Sequence, residues 1–137
     1  LNNTITTNKE AQMKTQIDNY IENIKKDYVG WSNPKSATER TVRDNMVKEF
    51  CENITVKPGK KYIKVMTKLG TSNSVHSFIA SKDFVSSKGV EFKKGDILKA
   101  ASWALPALNA PRGNIFGEYV VKWTGACYMD GQKRLIV

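Results

Sequence analysis

No apolar run in this sequence approaches the roughly 18 residues that a membrane-crossing helix needs. The start, Leu1-Asn2-Asn3-Thr4, has neither a basic segment nor an apolar one behind it. A membrane span and a secretory leader are therefore not expected, and the reading is a cytoplasmic protein. Cysteine is scarce. Cys51 and Cys127 fall in different halves with no CxxC spacing, which excludes a four-ligand metal cage built on them and predicts two reduced thiols. Histidine is scarcer still: His76 stands alone in a Val-His-Ser-Phe context that lacks the glycine-flanked serine of a nucleophile elbow. Walker A, GxGxxG and HExxH patterns are missing too. No catalytic residue, metal or cofactor is expected. The one pattern on the other side is Asp83 followed by Glu91-Phe92-Lys93, an acid-plus-ExK arrangement of the kind that holds Mg²⁺ and steadies a water in metal-dependent nucleases.

What is present suits one domain spanning residues 1–137. A chain of this length buries about two thirds of the surface its unfolded form exposes. Hydrophobic residues at 40% and charged ones at 26% lie in the globular range. The net charge of +9 is unevenly placed. Residues 1–56 hold eight basic and eight acidic side chains, whereas residues 57–137 hold fourteen basic and five acidic ones. All the excess therefore sits in the second part, where it would attract phosphates.

Met13, Ile17, Tyr20, Ile21, Ile24 and Tyr28 recur at the 3.6-residue period and predict a helix over 8–28. Asn33 as N-cap with Pro34 at the first helical position then predicts a second helix reaching about Asn53. Its apolar set is Val42, Met46, Val47, Phe50, Cys51 and Ile54. After the Pro58-Gly59 turn the period becomes alternating, which places a module boundary near Val56. Strands are expected at Tyr62–Met66, Val75–Ala80, Val90–Phe92, Ile97–Trp103 and Phe116–Thr124. A polar loop is expected over Gly70–Ser74, a turn at Lys94-Gly95-Asp96 and a long irregular loop over Ala104–Asn114. Asp130-Gly131 predicts a terminal hairpin. The fold class is α+β: an N-terminal helical hairpin (1–56) packed on a small antiparallel sheet or partly open barrel (57–137).

With Ile63 and Val65 facing the core, period two places Lys60, Tyr62, Lys64, Met66 and Lys68 on the opposite face. Lys99 and Trp103 are expected to share a face of another strand. Lys122 is expected opposite Tyr119, Val121 and Trp123. Lysines that neutralise phosphates and rings that stack on bases together make sequence-tolerant nucleic-acid or nucleotide binding. The competing reading is a solvated face whose lysines guard sheet edges. The 104–114 loop is expected to present Arg112 and Asn114 at an exposed tip, as a guanidinium fork and free amides for a phosphate. The candidate ligand-binding residues are thus Tyr62, Lys64, Lys99, Trp103, Arg112, Asn114 and Lys122.

The stretch Gly95-Asp96-Ile97-Leu98-Lys99-Ala100-Ala101-Ser102-Trp103, continuing through Ala110-Pro111-Arg112-Gly113-Asn114-Ile115-Phe116-Gly117 to Lys122-Trp123-Thr124-Gly125, resembles small uncharacterised proteins of tailed bacteriophages. The resemblance covers about the last 60 residues. It departs from their pattern at Ala104 and Leu108, where lysines are expected. It implies an early phage protein that binds nucleic acid or counters a host defence, by gripping a host protein or sequestering a nucleotide messenger. The resulting expectation is a non-enzymatic protein whose partner is nucleic acid or a small nucleotide. Two alternatives stand beside it. One is an inhibitor docking on an acidic surface of a host defence protein, with the helical hairpin making homo-oligomer contacts. The other is a nuclease using Asp83, Glu91 and Lys93.

Overall fold

The computed structural model describes residues 2–31 and 35–127, and the side chains of 11–31, 35–68 and 70–125. Helix α1 spans Asn2–Trp31 and α2 spans Ala37–Glu52. The first is longer at both ends than its apolar periodicity predicts. The second starts later than expected, because its N-cap is Ser36, whose extended backbone lets the hydroxyl accept from Glu39 N at 3.1 Å. Glu39 in turn accepts from Lys35 N at 2.6 Å. Ser36 thus satisfies one of the donors that a helix start exposes and Glu39 ties down the residue before the cap, which corrects the Asn33-Pro34 assignment. Residues 32–34 lie outside the described residues.

Strands β1 (Thr55–Lys57), β2 (Tyr62–Leu69), β3 (Ser72–Ala80) and β6 (Ile97–Lys99) form an antiparallel sheet in the order β1-β2-β3-β6. Short hairpins add β4 (Phe84–Val85) with β5 (Glu91–Phe92), and β7 (Val120–Lys122) with β8 (Gly125–Cys127). The fold is α+β, as the sequence predicts, and the sheet is open.

Several boundaries differ from expectation. The sheet begins at Thr55, ahead of the Pro58-Gly59 turn. The expected loop over 70–74 is a two-residue turn, because Gly70 takes φ +59° and lets β2 and β3 pair out to Leu69 and Ser72. The strand expected to reach Trp103 stops at Lys99, where Leu105 O accepts from Ala101 N and Ser102 N and folds the chain back. Of the strand expected over 116–124 only Val120–Lys122 forms. The hairpin at Asp130-Gly131 lies outside the described residues.

The central strand β3 is buried along its second half. On one face, α1 and α2 cover Ile63, Val65, Ile79 and Ile97 with Met13, Tyr20, Ile24, Tyr28 and Phe50. The helices meet where Tyr28 stacks on Phe50 at 4.1 Å. On the other face, Phe78, Phe92 and Leu98 form a second cluster beneath the β4–β5 hairpin and Leu108. Each fully buried side chain of this kind stabilises the fold by about 1.5–3 kcal/mol. An extra residue, His76, bulges from β3 where its pairing with β2 jumps from Ser77 to Val75.

Candidate functional site

The sheet's outer face, away from the helices, gathers cations and rings. Period two places Tyr62, Lys64, Met66 and Lys68 of β2 there, as the sequence predicts for these four. Lys60 lies before the strand. Cross-strand register sets Lys57 beside Lys64, and Lys64 beside Phe78. Directly opposed ammonium groups repel, so a bound anion would relieve the Lys57–Lys64 pair. The Lys64 Nζ lies 4.6 Å from the centroid of the Trp103 ring and 5.9 Å from that of Phe78. Trp103 is 53% exposed. Beside it, Tyr62 meets Phe78 and Phe84 edge-on at 6.0 and 5.7 Å, and Phe84 stacks on Phe92 at 4.9 Å. Lys61 Nζ sits 4.7 Å over the Phe84 ring. Among the described residues the ion pairs are Lys25–Glu22 and Arg43–Asp44, so none of these lysines is neutralised by a carboxylate.

Tyr62, Lys64 and Trp103 therefore come together, while the other four expected residues do not join them. Lys99 lies in the cross-strand file Val65–Ser77–Lys99, which faces the helix side, and so does not share a face with Trp103. Lys122 is exposed on β7, with Tyr119, Val121 and Trp123 packed against the core as expected, but β7 also belongs to the helix side. Arg112 is no exposed tip. It is 1% exposed, because residues 112 and 113 run along the free edge of β6, with Arg112 N donating to Ile97 O at 2.7 Å and Ile97 N to Gly113 O at 2.9 Å. Its Nη2 donates to Asn109 Oδ1 at 3.3 Å, and burial lowers its pKa from the usual arginine value. Asn114 is equally committed: its amide donates to Lys94 O and Asp96 Oδ1, and its oxygen accepts from Phe116 N at 2.8 Å.

Sequence reasoning missed Lys57 and Lys61. Lys57 joins the face only through the pairing of β1 with β2, although Thr55-Val56-Lys57 does alternate. Lys61 precedes β2, where strict alternation no longer holds.

Asp83 and Asp96 serve the turn around Gly95. Asp83 accepts from Lys94 N at 2.7 Å, and Asp96 accepts from Lys93 N at 2.7 Å. Among the described residues no three His, Cys, Asp or Glu side chains gather as a metal site. Gly95 takes φ +89° in that turn, as its sequence predicts.

His76 belongs to a buried chain instead of an open site. Its Nε2 donates to Lys122 O at 2.7 Å, since a carbonyl only accepts. Nδ1 of the neutral ring then accepts from Ser77 Oγ at 2.8 Å, and Ser77 accepts from the Tyr20 hydroxyl at 2.8 Å. Burial lowers the His76 pKa, and the bond to Lys122 opposes this in part. Tyr20 and Ser77 are both fully buried, so the chain pins α1, β3 and β7 together and offers no substrate a path to the serine. Asn23 Nδ2 to Tyr119 OH and Trp123 N to Asp27 Oδ2, both 2.7 Å, add two further ties between α1 and the 119–123 segment.

Comparison with curated proteins and with solved structures returned no match. Among the described residues no helix is long and apolar enough to cross a membrane. The model of a family of unknown function, DUF7717, matches residues 2–129, and the chain belongs to that family.

Proposed function

We propose that this protein binds single-stranded nucleic acid on the outer face of its sheet, without chemistry of its own. The observation that carries this reading is the Lys64 ammonium 4.6 Å from the exposed Trp103 ring, on a face shared with Lys57, Lys61 and Lys68. A ring half open to solvent accepts a base by stacking, and neighbouring ammonium groups accept the flanking phosphates. The open setting of Trp103 favours an extended strand over an enclosed mononucleotide. The segregation of +9 into residues 57–137 supplies the field that draws a polyanion in. The phage-type context and its implied action against a host defence belong to the same proposal, and the family match adds no activity to it.

Fluorescence anisotropy of a labelled oligothymidylate, titrated over a range of salt, tests the reading. Four lysines engaging four phosphates predict a slope of log K against log salt of about −3, at about 0.7 per phosphate for a single strand. No binding at low salt, or binding only to an acidic protein surface, would contradict it.

A further inference from the structure

On the helix side of the sheet, away from the lysine–tryptophan face, a cleft of about 600 Å³ opens between α1 and the strands β1 and β2. Its size falls within the roughly 300–1,000 Å³ typical of small-molecule sites. The floor is apolar: Met13, Ile17, Val56, Pro58 and Ile63 line it. Met13 and Ile63 are otherwise core residues, each only 8% exposed.

The mouth is charged. Lys14 and Asp18 project from successive turns of α1, and Lys94 comes from the turn after β5. None of the three forms an ion pair with another described residue. Lys94 is held in place from both sides of its backbone. Its N–H donates to Asp83 Oδ1 at 2.7 Å, and its carbonyl accepts from Asn114 Nδ2 at 3.0 Å. The wall at Ser81 is fixed as well, because Ser81 Oγ donates to Gly59 O at 3.1 Å and Ser81 N to Lys61 O at 2.9 Å. That bond occupies the Ser81 hydroxyl proton, so the cleft offers few directional donors for a sugar or a base. Two ammonium groups and one carboxylate leave a net charge of +1 at the mouth, which suits a monoanion better than a phosphate dianion.

We propose that this cleft binds an anionic amphiphile, with a single aliphatic chain on the Met13–Ile17–Ile63 floor and a monoanionic head between Lys14 and Lys94. This site is independent of the nucleic-acid reading, since the two lie on opposite faces of the sheet.

Decanoate, kept below its micelle-forming concentration, is the probe. In spectra of the full chain with labelled methionine and isoleucine methyl groups, a saturable titration should move Met13, Ile17 and Ile63. Decanol, with the same chain and no charge, should bind about tenfold more weakly, as should decanoate with the double variant Lys14→Gln/Lys94→Gln. Lys35→Gln/Lys48→Gln, an equal charge change at two exposed lysines outside the cleft lining, should bind decanoate like the parent. The same spectra report whether each variant is folded. The proposal is overturned if decanoate leaves those methyl groups unmoved. It is also overturned if the two double variants bind decanoate with equal affinity, which would leave Lys14 and Lys94 no role beyond net charge.

Discussion

Arg112 shows how far a residue's type can mislead about its place. An arginine beside Pro111 and Gly113 in a long irregular loop reads as an exposed fork, yet the side chain is buried and bonded to Asn109. Arg112→Ala should therefore destabilise the fold by about 2–4 kcal/mol in urea unfolding, by removing buried stem packing and a charge-assisted bond. An unchanged midpoint would mean that the side chain is surface after all. His76 gives the second residue-scale prediction. The folded state holds its pKa below the ordinary histidine value of about 6.5, so the unfolded chain takes up the proton first as the medium is acidified. The stabilising contribution is complete above pH 6.5. It declines as the pH falls towards the lowered folded value, by up to about 1.4 kcal/mol per pH unit. As the chain has one histidine, its imidazole NMR signal is unambiguous. It should stay neutral when free imidazole is half protonated, and titration at or above 6.5 would contradict the buried chain.

At the scale of elements, the face of a strand is legible in sequence and the pairing of strands is not. Period two correctly set Ile63 and Val65 inward and Tyr62 and Lys64 outward, because alternation is a local property of one strand. It could not place Lys99 against Trp103, since that depends on where β6 ends. The end is set by the Ala101–Leu105 turn, a contact with no periodic signature. Nor could it show residues 112 and 113 acting as a further edge segment beside β6, for that bridge lies within a stretch whose prolines read only as irregular. Helix α2 shows the same limit. Its apolar face is periodic, but the choice between Asn33 and Ser36 as cap turns on which side chain reaches a free N–H. The edge segment carries its own prediction. Gly113 has φ +121°, and a Cβ there would meet Glu118 O and the Tyr119 Cβ at 2.6 Å. Gly113→Ala should destabilise by at least about 2 kcal/mol from backbone strain alone, before the clash is counted. A thermal midpoint equal to the parent's would show that residues 112–114 are not held against β6.

For the whole molecule, the polarity of charge is the feature the sequence states most plainly, and the fold gives it a direction. The neutral helices cover one side of the sheet. The outer side carries Lys57, Lys61, Lys64 and Lys68 around an aromatic floor, with Trp103 standing open beside them. A polyanion attracted by net charge alone would bind wherever lysines are exposed, whereas the proposed strand binds where cations and a stacking ring coincide. Lys64 and Lys99 separate these cases, because they carry the same charge on opposite faces of one sheet. The decisive measurement compares the oligothymidylate affinity of the parent with those of Trp103→Ala, Lys64→Ala and Lys99→Ala at one salt concentration. Trp103→Ala should lose about 1–3 kcal/mol of binding, the worth of one stacked base. Lys64→Ala should weaken binding and flatten its salt dependence, and Lys99→Ala should bind like the parent. Equal losses for Lys64→Ala and Lys99→Ala, with none for Trp103→Ala, would contradict the assignment of the outer face as the binding surface.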